Sequence, residues 1–285
     1  MKRTIVGPFS LPEVLAAGAA LAAAIASIAG FVPGLYRDRA VVIEQTHGYD
    51  AGNLVVVAAL LVGLGWSIRS SVRGRLVVIG ALGCLVYSYV TYAFLIVLNP
   101  VTLLYIAVLG LAGWSVITGL LRFDEGEIEP IERGRFVSRA TGIFMILLAV
   151  VFASNWLRQI GAGVAGGHLP ADLAANGWPM NPVWVLDLGF VLPLFAIGGV
   201  GMLRRRPYAI PVAMAVLVFM ALLSITVLCM AVAMAVAGQT LDVALLAIFG
   251  IVLVVSTVLA AAWFRPPRPA ERRQAIGRLG TSAPA

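Results

Sequence analysis

The chain has 285 residues, 61% hydrophobic and only 12% charged. A soluble domain carries about 25% charged residues, so the composition excludes a water-surrounded globule and points to a membrane protein. The formal net charge of +7 does not indicate nucleic acid, because the basic residues sit in short groups between apolar runs.

A spanning helix needs about 20 mostly apolar residues. Eight runs qualify, at 12–33, 51–68, 76–98, 101–121, 138–157, 182–203, 208–237 and 241–264. The expected fold class is all-α, a polytopic bundle of eight transmembrane helices over residues 1–264. Ahead of the first run, "MKRTIVGPFS" could open a signal peptide. The length of the run and a capping box from Ser10 and Glu13 favour a retained helix.

The first outer connection, 34–50, carries His47 and leads to Asp50 at the head of the second run. The third run is polar along one face, where Ser88, Thr91, Tyr92 and Asn99 recur at helical spacing, flanked by Tyr87 and Tyr89. The fourth adds Tyr105, Ser115 and Thr118. Buried hydroxyls in lipid need partners. They read either as a pocket wall or as ordinary interhelical hydrogen bonding. Glycines such as Gly80, Gly83, Gly198, Gly199 and Gly201 read as close helix packing. The connection "RFDEGEIEPIERGRF" mixes both signs of charge and reads as solvated.

The second long outer connection, 158–181, contains His168 and Asp172 and ends at Asn181-Pro182. That pair is a helix start, with Asn as N-cap and Pro at the first helical position. Asp187 then lies about 7 to 8 Å along the helix axis. A carboxylate at that depth is costly against lipid, so it should face the bundle interior. Its expected partners are Tyr87, Tyr89, Tyr92, Tyr105, the Asn99 amide or a bound ligand. Pro193, further along the run, can kink the helix close to this acid. Asp50 reads as the less buried of the two acids, either an N-cap or interfacial residue or part of a site. The tail 265–285 is Pro- and Arg-rich and reads as disordered, with arginines drawn to anionic headgroups.

Arginine and lysine set the orientation. Only Arg37, Arg39 and Arg158 fall in odd-numbered connections; the other basic residues lie at the N-terminus, in the even connections and in the tail. Both termini are therefore expected in the cytoplasm. Eight spans also divide into two halves, 1–121 and 138–264, which would run in the same direction. A parallel repeat pairing Asp50 with Asp187 and Gly52 with Gly189 is one possibility.

No cofactor is expected. His47 and Asp50, spaced H-x-x-D, and His168 and Asp172, spaced H-x-x-x-D, are common spacings that no H-E-x-x-H or cysteine cluster supports as a metal site, and the spans contain no histidine for haem. Cys84 and Cys229 form no C-x-x-C pair and read as small buried hydrophobes. A single Lys among the basic residues suggests a GC-rich bacterial genome.

The stretches "GFVPGLYRD", "VYSYVTYAFLIVLNPVTLLYIAVLGLAGWSVI", "NPVWVLDLGFVLP" and "RRRPYAIPVAM", with the Asp50 helix, resemble a family of uncharacterised bacterial multi-pass membrane proteins. The resemblance implies eight helices and the bacterial cytoplasmic (inner) membrane, and brings no activity with it. Where the family has Gly-Gln before the first acid and a His before Val-Leu-Asp, this chain has Gly48-Tyr49 and Trp184.

Three functions fit these observations. One is a small-molecule or proton-linked transporter or binding protein, with an outward-side site around Asp187 and Asp50 and ligand-binding candidates Asn181, Tyr89, Tyr92, Asn99 and Tyr105. A second is a structural or assembly partner of a membrane or envelope complex. A third is a membrane-embedded lipid-modifying enzyme. Beyond the lipid bilayer, a membrane-protein partner or a second copy of the chain is open; nucleic acid is not expected.

Overall fold

In a computed structural model of the protein, the described residues are 10–69, 71–123, 134–240 and 242–265. The tail from residue 266 and most of the mixed-charge connection lie outside them. Among the described residues the structure is helical, without strands. Eight helices are long and apolar enough to cross a membrane: α1 (Leu11–Ala29), α2 (Ala40–Ser67), α3 (Val72–Leu95), α4 (Thr102–Leu120), α5 (Arg135–Gly166), α7 (Pro182–Leu203), α8 (Ala209–Val236) and α9 (Val243–Phe264). A short helix, α6 (Ala171–Asn176), lies between α5 and α7. The chain is an integral, multi-pass membrane protein.

Helices α2, α3 and α8 form the centre, and α1 and α4 pack around α2 and α3. Small residues set these distances. Ala16, Ala19, Ala23 and Ala26 make a buried stripe on α1, and Gly48 and Gly52 on α2 lie directly over the α8 backbone at Met230 and Thr226. Lipid contributes no hydrophobic drive between helices, so close backbone approach and dispersion supply the attraction. Gly80, Gly198, Gly199 and Gly201 likewise face close neighbours, whereas Gly83 has ordinary room beside Phe219. Helices α5 and α7 pack on each other, and α9 leans on α8. Large apolar side chains such as Leu21, Val62, Leu103, Ile197 and Ile251 stay exposed on the outside, as lipid-facing residues must.

One end of the bundle is basic. Glu13 accepts a hydrogen bond from Ser67 Oγ at 3.4 Å and lies 4.0 Å from Arg122, and Arg73 reaches the Arg265 carbonyl at 3.5 Å. The capping contact at α1 is present as a bond from the Ser10 N–H to Glu13 Oε2, 3.1 Å. Trp263 Nε1 donates to Thr141 Oγ1 at 3.0 Å, tying α9 to α5 near the same end.

Two boundaries differ most from the sequence reading. Helix α2 begins at Ala40, so most of the expected outer connection 34–50 is helical and Asp50 is well inside a helix. The polar side chains Glu44, Gln45 and His47 mask this extension in an apolar window, while the buried residues Val42, Thr46, Asp50 and Asn53 continue one face. Helix α5 continues to Gly166 and ends at Gly167, whose positive φ of 64° gives a left-handed cap.

Candidate functional site

The two acids occupy different surroundings. Asp50 is fully buried, at 0% exposure. Tyr36 of the α1–α2 connection donates to Oδ2 at 2.6 Å, and Tyr92 of α3 donates to Oδ1 at 2.9 Å. Tyr92 also lies 3.2 Å from the Thr46 carbonyl. Around this pair, Tyr89 stacks on Tyr92 and Tyr105 meets Tyr92 edge-on, with centroids 5.1 and 5.2 Å apart. Tyr89 donates to the Ala23 carbonyl at 3.2 Å, and Asn99 Nδ2 donates to Tyr105 at 3.3 Å. The four candidates Tyr89, Tyr92, Asn99 and Tyr105 therefore gather on the Asp50 side. Burial first, and then the facing Asp50 carboxylate, pushes the Tyr36 hydroxyl well above its usual range, so it stays a donor. Asp38 fastens the next turn by accepting from the Val97 N–H at 3.1 Å; burial raises its carboxyl above the usual value.

Gly30 permits this arrangement. A Cβ there would collide with the Asp50 carboxylate and lie 2.6 Å from the Tyr36 hydroxyl. Gly30→Ala is expected to destabilise the protein by about 1–3 kcal/mol through this clash. Unfolding of the detergent-solubilised variant measures it; wild-type stability would refute the tight fit.

Asp187 is 7% exposed and borders a cavity. Tyr87 of α3 donates to Oδ1 at 3.0 Å, and Trp156 Nε1 of α5 donates to Oδ2 at 2.7 Å. Of the partners expected from sequence, Tyr87 is the one in place; Trp156, by type and position an interfacial aromatic, is the second donor. Asn181 caps α7 by accepting from the Val183 N–H at 3.0 Å. The helix then widens into a π turn over Asp187–Val191, in which the Leu192 N–H reaches the Asp187 carbonyl. Pro193 comes next, where a missing N–H makes regular α hydrogen bonding impossible. Trp184, in the turn before the acid, is buried at 4% exposure.

The space beside Asp187 is a cavity of about 940 Å³. Helices α2, α3, α5, α7, α8 and α9 contribute to it. Arg158, Asp172, Asn176, Asn181 and Asp242 frame the end at α6 and the α8–α9 connection. Tyr49, Tyr87, Phe152 and Trp156 form aromatic walls, and Phe195, Phe219, Met220 and Leu223 lie deeper. Asp50 is not among the residues that line it. Helix α6 is held over this end by Arg39, whose guanidinium donates to the Ala174 and Ala175 carbonyls at 2.7 and 2.9 Å. Cations suit such a helix C-terminus.

The histidines stand apart. His47 stacks on Phe31 and packs against Tyr36, with centroids 5.9 and 5.7 Å away, while His168 lies exposed beside Leu169. Among the described residues no group of three or more His, Cys, Asp or Glu is placed to hold a metal ion.

No family model matches this chain, and neither a curated protein nor a solved structure matches it.

Proposed function

We propose that the protein is a membrane-embedded small-molecule binding protein or transporter, with Asp187 at its site and Asp50 as a structural pin. The supporting observation is the cavity of about 940 Å³ with the Asp187 carboxylate in its wall. Its volume falls within the range of ligand pockets, about 300–1,000 Å³. Intramembrane acids mark substrate or ion pathways when they face a cavity rather than lipid. Asp50 has no such outlet, and its two tyrosine donors satisfy it within the protein.

Asp187→Asn keeps the shape and removes the charge. Cells carrying it as their only copy are expected to reproduce the metabolite and lipid changes of a deletion strain, with activity reduced at least about tenfold. The variant should insert and purify normally. Full function of the Asn variant would remove Asp187 from the site.

The proposed home is the bacterial cytoplasmic membrane, with both termini inside. Reporter fusions after Ala237 and at Ala285 are expected on opposite sides of the membrane. The same side from both would overturn this orientation.

A further inference from the structure

The small-molecule reading leaves the ligand's chemistry open. We propose that the Asp187 cavity takes amphipathic cations: an ammonium or delocalised cationic group beside Asp187, with an apolar body directed toward Phe195 and Phe219. This assignment rests on the Asp187 cavity being the ligand site.

Charge is the first argument. The cavity lining carries Asp172, Asp187 and Asp242 against Arg158 alone, so with all ionised the balance is negative in a chain whose formal net charge is +7. Anionic headgroups are disfavoured there, and cations are drawn in.

The Asp187 carboxylate supplies the second argument. Each oxygen accepts a hydrogen bond, one from Tyr87 at 3.0 Å and the other from Trp156 at 2.7 Å. An ionised carboxylate has about four acceptor positions. The two donors fix its orientation without exhausting its capacity, and its remaining exposure borders the cavity.

The walls are the third. Tyr49, Tyr87, Phe152 and Trp156 present aromatic rings around the same space, and aromatic faces attract cations when water is excluded. Beyond them the lining is Met220, Leu223 and Val227 from α8, which offers nothing to a second polar group. The polarity gradient therefore runs from a polar end at α6 to an apolar depth, and it matches a molecule with one charged head.

An amphipathic ligand would arrive through the side. Helices α5 and α9 both line the cavity but touch sparsely, chiefly where Phe152 meets Phe249 at 5.9 Å between centroids and where Trp263 bonds Thr141. This sparsely closed side is where a membrane-dissolved amphiphile would enter.

The test is equilibrium binding of radiolabelled tetraphenylphosphonium to the purified full chain in a non-ionic detergent. Competitors are decyltrimethylammonium, decanol and decanoate, which share chain length and differ in head charge. Saturable binding is expected, displaced by decyltrimethylammonium and not by decanoate. Asp187→Asn should weaken it at least about tenfold, the scale of a lost charge-assisted contact. Val227→Trp, which adds bulk to the cavity wall and keeps the carboxylate, should weaken it. Should the Asn variant not fold, the competition series on the wild-type chain still decides charge selectivity. Displacement by decanol and decanoate as effective as by decyltrimethylammonium would overturn the cation assignment while leaving the cavity as a ligand site. No saturable binding would overturn the cation assignment, and saturable binding untouched by both Asp187→Asn and Val227→Trp would overturn the cavity as the site.

Discussion

Asp50→Leu is expected to destabilise the protein by about 1–3 kcal/mol, because it removes the carboxylate acceptor from the buried Tyr36 hydroxyl and leaves Tyr92 only the Thr46 carbonyl, 3.2 Å away. Both tyrosines donate to this one carboxylate, at 2.6 and 2.9 Å, and Asp50 is fully buried. Asp50→Asn should cost less, since its carbonyl oxygen can still accept one of the bonds. Unfolding in a denaturing detergent series would measure the three proteins side by side. The pairing also joins the α1–α2 connection to α3, so the leucine variant should expose that connection to proteolysis near Tyr36. A leucine variant as stable as wild type, with the connection still protected, would show that the pin carries no weight.

The other large effect is expected at the α2–α8 seam. Gly48 lies against the α8 backbone, and a Cβ there would stand 2.7 Å from the Cys229 carbonyl oxygen as well as closer still to Met230. Backbone cannot swing aside as a side chain can. Gly48→Leu should therefore push two of the three central helices apart and cost about 3 kcal/mol or more, the upper end of overpacking effects. Gly65→Leu is the control, since a Cβ at Gly65 would meet no neighbour within 4 Å. Expression level and thermal unfolding of the two variants give the comparison. Equal behaviour would mean that the seam is looser than its geometry.

The eight spans were legible because apolar length is what a bilayer demands. The start of α2 was not, because residues 40–50 leave the apolar window while their buried face continues through Val42, Thr46 and Asp50. A helical-period reading from Arg39 onward would have found it, and would have placed Asp50 inside rather than at the edge. Asp187 was legible as an inward-facing acid from Asn181-Pro182 and the cost of charge in lipid. Its separation from Tyr89, Tyr92 and Tyr105 was not, since adjacent tyrosines on α3 point to different helices: Tyr87 to Asp187, Tyr89 to the Ala23 carbonyl on α1, and Tyr92 to Asp50 on α2. Only the packing of α3 among α1, α2 and α7 decides which tyrosine meets which acid. Trp156 was hidden by its type, because a tryptophan near a span end reads as an interface anchor.

The π turn at Asp187–Val191 has a genetic meaning. Relative to an uninterrupted α-helix it holds one surplus residue within a turn, and each residue advances an α-helix by about 100°. Loss of a single codon at Gly189, where a Cβ would meet no neighbour within 4 Å, would remove that surplus residue while Pro193 still lacks its N–H. The part of α7 before the deletion would then rotate against the part packed on α5, and the carboxylate would swing away from Tyr87 and Trp156. A frame-preserving deletion of one glycine would thus do what no point substitution there can: keep every other side chain and move the acid to another face. The charge in this membrane is placed by the count of residues as much as by their kind.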